Sequence, residues 1–166
     1  MKAGASRIRV IGIGNEFRGD DGAGLVVARL VRSLIPCGID VVEQTGECGA
    51  LLEAWRDADF VVLVDAVQSG APAGTVYRLD ATQNPLPHGY FRHSTHDLGV
   101  ADAVELGRAL HSLPQRLVLY GIEGESFEIG AGLSVAVSEV VGTVARRVAD
   151  EFGQAVKEPT KPHVSY

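Results

Sequence analysis

Short apolar runs alternate with helical-period segments along most of this 166-residue chain. Ile8 to Gly14 is β-branched and closed by glycines, which predicts a buried strand. A polar, glycine-rich turn from Asn15 to Gly24 follows. Leu25 to Ile35 then repeats Val26, Val27, Leu30, Val31 and Leu34 at helical spacing, with Arg29, Arg32 and Ser33 opposite. Pro36 and Gly38 end that helix. Ile39 to Val42 reads as a second strand, followed by a loop around Gly46 and Gly49 and a helix through Leu51 to Trp55. Phe60 to Val64 is the most strand-like run and closes at Asp65. Thr75 to Leu79 alternates and is short, which predicts an edge strand. Residues 80–96 are rich in Pro, His, Gly and Asn and read as a long loop, functional or disordered. Asp97 is placed to cap the next helix, whose polar face carries Asp102, Glu105, Arg108 and Ser112. Leu117 to Gly121 is another strand, and a final helix gathers Val137, Val140, Val141, Val144 and Val148 on one face.

Strands alternating with helices, joined by right-handed crossovers, predict an α/β fold. The expected form is a single-domain, three-layer α/β/α sandwich around a twisted, mostly parallel sheet. Residues 1–152 form the domain, and 153–166, with Pro159 and Pro162, form a flexible tail. There are no internal repeats. Composition narrows the class: 46% hydrophobic residues exclude a wholly disordered chain. No apolar run approaches the roughly 20 residues that a membrane helix needs, and the start lacks the pattern of an export signal. A soluble, cytoplasmic monomer is expected. The net charge of −6 argues against nonspecific nucleic-acid binding, which relies on a basic footprint. Cys37 and Cys48 form no C-x-x-C pair and are expected to be reduced, as packing residues or passive thiols and not catalysts.

In such sheets the site lies outside the carboxyl ends of the strands. Asp21 follows the first strand, Asp65 closes the central one, and the histidine loop leads into a helix on the same sheet. Gly12 and Gly14 begin a dinucleotide fingerprint, but Phe17 stands where its third glycine belongs, and Asp20 and Asp21 would repel a phosphate at the helix entrance. P-loop, serine-hydrolase and zincin motifs are absent. One Asp suffices to cap a helix, leaving the other of Asp20 and Asp21 for a cation. Asp65, after five apolar strand residues, is costly to bury without a partner or metal. Two carboxylates and an imidazole suit a borderline transition metal better than Mg²⁺, with positions left open for water or substrate. His93 and His96 are both available for the imidazole, and the residues alone leave that choice open.

Three motifs carry a family resemblance: Gly12 to Gly22 (GIGNEFRGDDG), Val64-Asp65-Ala66, and Ser94 to Gly99 (STHDLG). In order and spacing, from about residue 7 to 150, they resemble the [NiFe]-hydrogenase maturation endopeptidases. The resemblance implies a hydrolase that removes the C-terminal extension of a hydrogenase large-subunit precursor after nickel insertion. It implies that Asp21, Asp65 and His96 are the catalytic and metal-contacting residues, and it leaves His93 peripheral. The implied cofactor is nickel, presented by the substrate, with Zn²⁺ or Cd²⁺ able to substitute. The metal would recognise the substrate, or polarise the scissile carbonyl or its attacking water beside a carboxylate base. The carboxylates could instead act as an aspartyl protease without it. The loop from Gln44 to Gly49 falls where the family has a glycine-rich segment, and no role is assigned to Glu43 or Glu47 beside it. A noncatalytic checkpoint or chaperone binding the immature subunit is the alternative.

Overall fold

The computed structural model describes residues 6–87, 89–91 and 98–155. β1 (Ile8–Ile13) leads through a 3-10 turn (Gly19–Gly22) into α1 (Ala23–Arg32). Then come β2 (Asp40–Gln44), α2 (Cys48–Trp55), β3 (Phe60–Val67), β4 (Val76–Asp80), α3 (Val100–Ala109), β5 (Arg116–Glu123) and α4 (Val135–Ala155). The strands form one sheet in the order β2-β1-β3-β5-β4. All pairings are parallel except β4 with β5, so the expected mostly parallel α/β/α sandwich is what forms.

Side chains alternate across a strand, so β3 feeds both faces of the sheet. Val62, Val64 and Ala66 pack with Val27 and Val31 of α1 and Val137, Val144 and Val148 of α4. Val61, Leu63 and Val67 pack on the other side with Leu51 and Trp55 of α2 and Val100 and Val104 of α3. By the same alternation Asp65 falls on the α2/α3 side, in register with Gly121 of β5. β3 does not close at Asp65, because pairing with β5 continues to Val67. Ala81, Leu86 and Phe91 of the long loop after β4 are buried against this second layer.

The buried stripe of α1 differs from the predicted one. Ala23, Gly24, Val27, Ala28 and Val31 face inward, whereas Leu30 and Leu34 are exposed. Small residues win this face because the helix lies almost directly on the strands. A Cβ at Gly24 would come within 2.3 Å of the carbonyl oxygens of both Ile13 and Val64, and one at Gly12 within 2.5 Å of the Gly24 oxygen. Asp97 lies outside the described residues; at the start of α3, Asp102 turns back to accept the Gly99 N–H at 2.9 Å. α4 continues through Gly153 to Ala155, and residues 156–166, with Pro159 and Pro162, lie outside the described residues.

Glu151 ties α4 to the antiparallel edge. It is buried, and its carboxylate accepts from Arg78 Nε at 2.5 Å, Arg116 Nη2 at 3.1 Å and the Tyr120 hydroxyl at 2.7 Å. Burial, with the adjacent Glu151 charge, pushes the Tyr120 hydroxyl up to about 12. No described helix is long and apolar enough to cross a membrane.

The packing of α1 makes a prediction in which two effects oppose. Gly24→Ala gains about 1 kcal/mol of helix propensity. The new methyl must also push the helix off the sheet, and overpacking of this kind costs about 1–3 kcal/mol or more. With two backbone oxygens at 2.3 Å, the steric term should win. Urea denaturation should show net destabilisation; a gain in stability would mean that the helix stands further off.

Candidate active site

The sheet changes direction between β1 and β3: the chain leaves β1 toward β2, then crosses back to β3. A crevice opens outside the carboxyl ends of two strands at such a point. Here it is a cleft of about 330 Å³ lined by residues that include Asn15, Arg18, Asp21, Glu47, Asp65, Phe91 and Asp102. Asp21 and Asp65 therefore open into the same cleft.

Each arrives by a different route. Gly14, at φ +144°, lets the chain after β1 double back so tightly that a Cβ there would lie 1.8 Å from the Asp21 carbonyl oxygen. The turn closes when the Asn15 N–H donates to Asp21 Oδ2 at 3.0 Å, and Asp21 is left 6% exposed. Asp65 sits within β3 itself and is fully buried. One carboxylate is thus set by a turn and the other by the central strand.

Asp20, read from the sequence as able to cap the first helix, does something else. Gly22 stands at the N-terminus of α1 without any side-chain cap. The buried Asp20 carboxylate instead accepts the N–H groups of Glu125 at 2.7 Å, Ser126 at 3.2 Å and Ser134 at 2.7 Å. Burial alone would raise its pKa, but these three backbone donors outweigh it and hold the carboxyl below the usual range. Asp20 clamps the segment between β5 and α4 onto the turn that carries Asp21. The sequence signal was the second Asp that capping did not need.

The neighbouring acids also acquire roles. Glu47 caps α2 by accepting from Gly49 N at 2.8 Å and Ala50 N at 2.9 Å, and these amides lower its pKa. Glu43 lies outside the cleft lining and accepts from Arg29 Nε and Nη2 at 3.1 and 2.9 Å and from Arg32 Nη1 at 3.2 Å. Glu16, on the turn after β1, also receives Arg29 Nη1 at 3.0 Å. The cleft lining includes four carboxylates, Asp21, Glu47, Asp65 and Asp102, against the guanidinium of Arg18. A concave site with that balance concentrates cations. His93 and His96 lie outside the described residues. Among the described residues no group of three His, Cys, Asp or Glu stands in a metal-holding arrangement. Asp21 and Asp65 are the described part of the expected set. Cys48 is buried and its thiol is pushed up by burial, and Cys37 is exposed; both are free.

The fold and cleft define an α/β protein with an acidic site at its topological switch point. The family described as "HycI: Hydrogenase maturation protease" matches residues 26–151. The hydrogenase expression/formation protein HupD of Thiocapsa roseopersicina is 29% identical, over 95% of this chain and 78% of its own. HoxM of Azotobacter vinelandii is 30% identical, over 89% and 72%. Among solved structures, the hydrogenase maturating endopeptidase HybD of Escherichia coli aligns with a TM-score of 0.71 at 25% identity, over 90% of this chain and 93% of its own. HycI of Thermococcus kodakarensis aligns with a TM-score of 0.66 at 27% identity, over 89% and 93%. The chain belongs to the hydrogenase maturation protease family and is an enzyme that hydrolyses peptide bonds.

The two adjacent aspartates should separate in their effect on stability. Asp20→Ala leaves three backbone donors without their carboxylate and should cost about 3 kcal/mol or more, against about 1–2 kcal/mol for Asp21→Ala. Because the Asp20 pKa is depressed on folding, its contribution is present above its unfolded value of 3.8 and is lost as pH falls through the folded value. Denaturation midpoints measured at about pH 7 and about pH 3 should therefore show a smaller gap between wild type and Asp20→Asn at the acid end. A constant gap at both would remove the clamp from the account.

Proposed function

We propose that this enzyme removes the C-terminal extension of a [NiFe]-hydrogenase large-subunit precursor once nickel is in place, and that Asp21, Asp65 and His96 read that nickel. The observation that carries the reading is the opening of Asp21, from the turn before α1, and Asp65, from within β3, into one acidic cleft. Relatives named for hydrogenase formation and maturation support the choice of client. The nickel enters as part of the substrate, held by the substrate's own cysteine thiolates. Two carboxylates and an imidazole are donors that a borderline divalent ion accepts. In this reading the metal sets the scissile peptide against the two aspartates, and one of them takes the proton of the attacking water. Specificity then comes from metal contact, which an empty cysteine cluster cannot supply.

Large-subunit precursor with and without nickel should be mixed with the enzyme and its C-terminal length followed by mass spectrometry. Cleavage of the loaded form alone is expected, and His96→Ala should abolish it without changing the melting temperature. Equal cleavage of both forms would mean that the cleft reads peptide and not metal. Metal affinity supplies a readout independent of turnover. In calorimetry with Ni²⁺ or Zn²⁺, Asp65→Asn should bind at least about tenfold more weakly than wild type, a loss of about 1.4 kcal/mol. Glu16→Gln, which alters only a surface ion pair with Arg29, should bind as wild type does. Equal binding by all three proteins would withdraw Asp65 as a ligand.

A further inference from the structure

Two tight turns meet beside the cleft, and each holds a large apolar side chain out in water. In the first, Arg18 N–H donates to the Asn15 carbonyl at 3.1 Å and Phe17 N–H to Asn15 Oδ1 at 2.9 Å, with Phe17 69% exposed at the tip. In the second, Ala131 N–H donates to the Glu128 carbonyl at 3.2 Å, with Ile129 85% exposed beside Gly130 at φ +83°. Turn tips facing solvent ordinarily carry Gly, Asn, Asp or Ser, for reasons of backbone geometry and hydration. Neither turn needs a phenyl ring or a branched alkyl group to form.

The two turns are locked to one another. The Phe17 carbonyl accepts Gly130 N–H at 2.8 Å, and the Ala131 carbonyl accepts Gly19 N–H at 3.0 Å. The buried Asp20 carboxylate fastens both ends of the second turn's segment, at Glu125, Ser126 and Ser134. The backbone that carries the exposed pair is therefore fixed before anything binds, which lowers the ordering cost of an interface. Its position matters as much. Asn15 and Arg18, on either side of Phe17, line the cleft that contains Asp21 and Asp65.

We propose that Phe17 and Ile129 form a docking platform for the folded body of the protein substrate whose chain end enters the cleft. The proposal rests on the function given above. The occupant follows from continuity with the cleft. A short peptide would be gripped inside it, whereas side chains standing outside on its rim meet whatever remains outside, which is the rest of the substrate protein. Aromatic residues such as Phe are enriched at protein interfaces, where a few anchors carry a large share of the binding energy.

The test compares wild type with Phe17→Ser/Ile129→Ser, on nickel-loaded large-subunit precursor. Rates come from mass spectrometry, and binding is measured by interferometry in an Asp65→Asn background that holds the precursor uncut. The double variant should melt as wild type does, since both residues are exposed. Its KM should rise by about tenfold or more, with kcat within about twofold, and binding should weaken by the same factor. Phe17→Leu, with Ile129 kept, should restore most of the affinity. Unchanged KM and binding would overturn the platform. So would sedimentation showing a wild-type dimer that the double variant dissolves, since the occupant would then be a second copy of this chain. If wild type binds the precursor without cutting it and the double variant loses that binding, the platform stands and the proposed cleavage falls.

Discussion

Close contact between α1 and the sheet is the constraint from which the site follows. Gly12 and Gly24 remove the side chains that would hold the helix away, so backbone packs almost on backbone. With the helix seated there, the nine residues between the end of β1 and its start must fold back on themselves. Only a left-handed glycine at position 14 allows that reversal, because any Cβ would strike the Asp21 backbone. The carboxylate of Asp21 is consequently carried to the mouth of the crevice between β1 and β3. A bulkier helix face would bury more apolar area, yet it would move Asp21 away from Asp65.

Asp20 and Asp21 divide two tasks that the sequence presents as one acidic pair. Asp20 spends its lone pairs on three backbone donors and is fully withdrawn from water. Asp21 keeps one oxygen on the Asn15 amide while its side chain lines the cleft. The first is worth several hydrogen bonds of folding energy, and the second leaves a charge where chemistry can use it. Glu47 and Asp102 add negative charge to the cleft while capping α2 and closing the start of α3. Helix-terminal interactions and part of the acidic field thus come from the same side chains.

Much of this was legible from pattern. The order of strands and helices, the parallel arrangement and the convergence of Asp21 and Asp65 follow from period, turn residues and the rule that sites sit at strand carboxyl ends. The apolar stripe of α4 is where its valines predict. What pattern could not show was interaction across long sequence separation. Local rules see Asp20 as a cap, because its real partners lie 105 to 114 residues away. Leucines at helical spacing suggested that Leu30 and Leu34 face the core, but contact distance between helix and strand decided for Ala23, Gly24 and Ala28. A charged residue reads as a strand boundary at Asp65, whereas pairing with β5 carries β3 past it to Val67. His96, the third expected site residue, is implied by resemblance and not by spacing, and it lies outside the described residues.

The central claim is that Asp21 and Asp65 act as one site because the glycine-packed helix brings them together. A double-mutant cycle on precursor cleavage tests it directly, using Asp21→Asn, Asp65→Asn and the two combined. Residues that act as a unit are strongly non-additive in their effect on rate. If the account holds, the double variant cleaves no more slowly than the slower single variant. Losses that multiply would mean two independent contributions, and would contradict it.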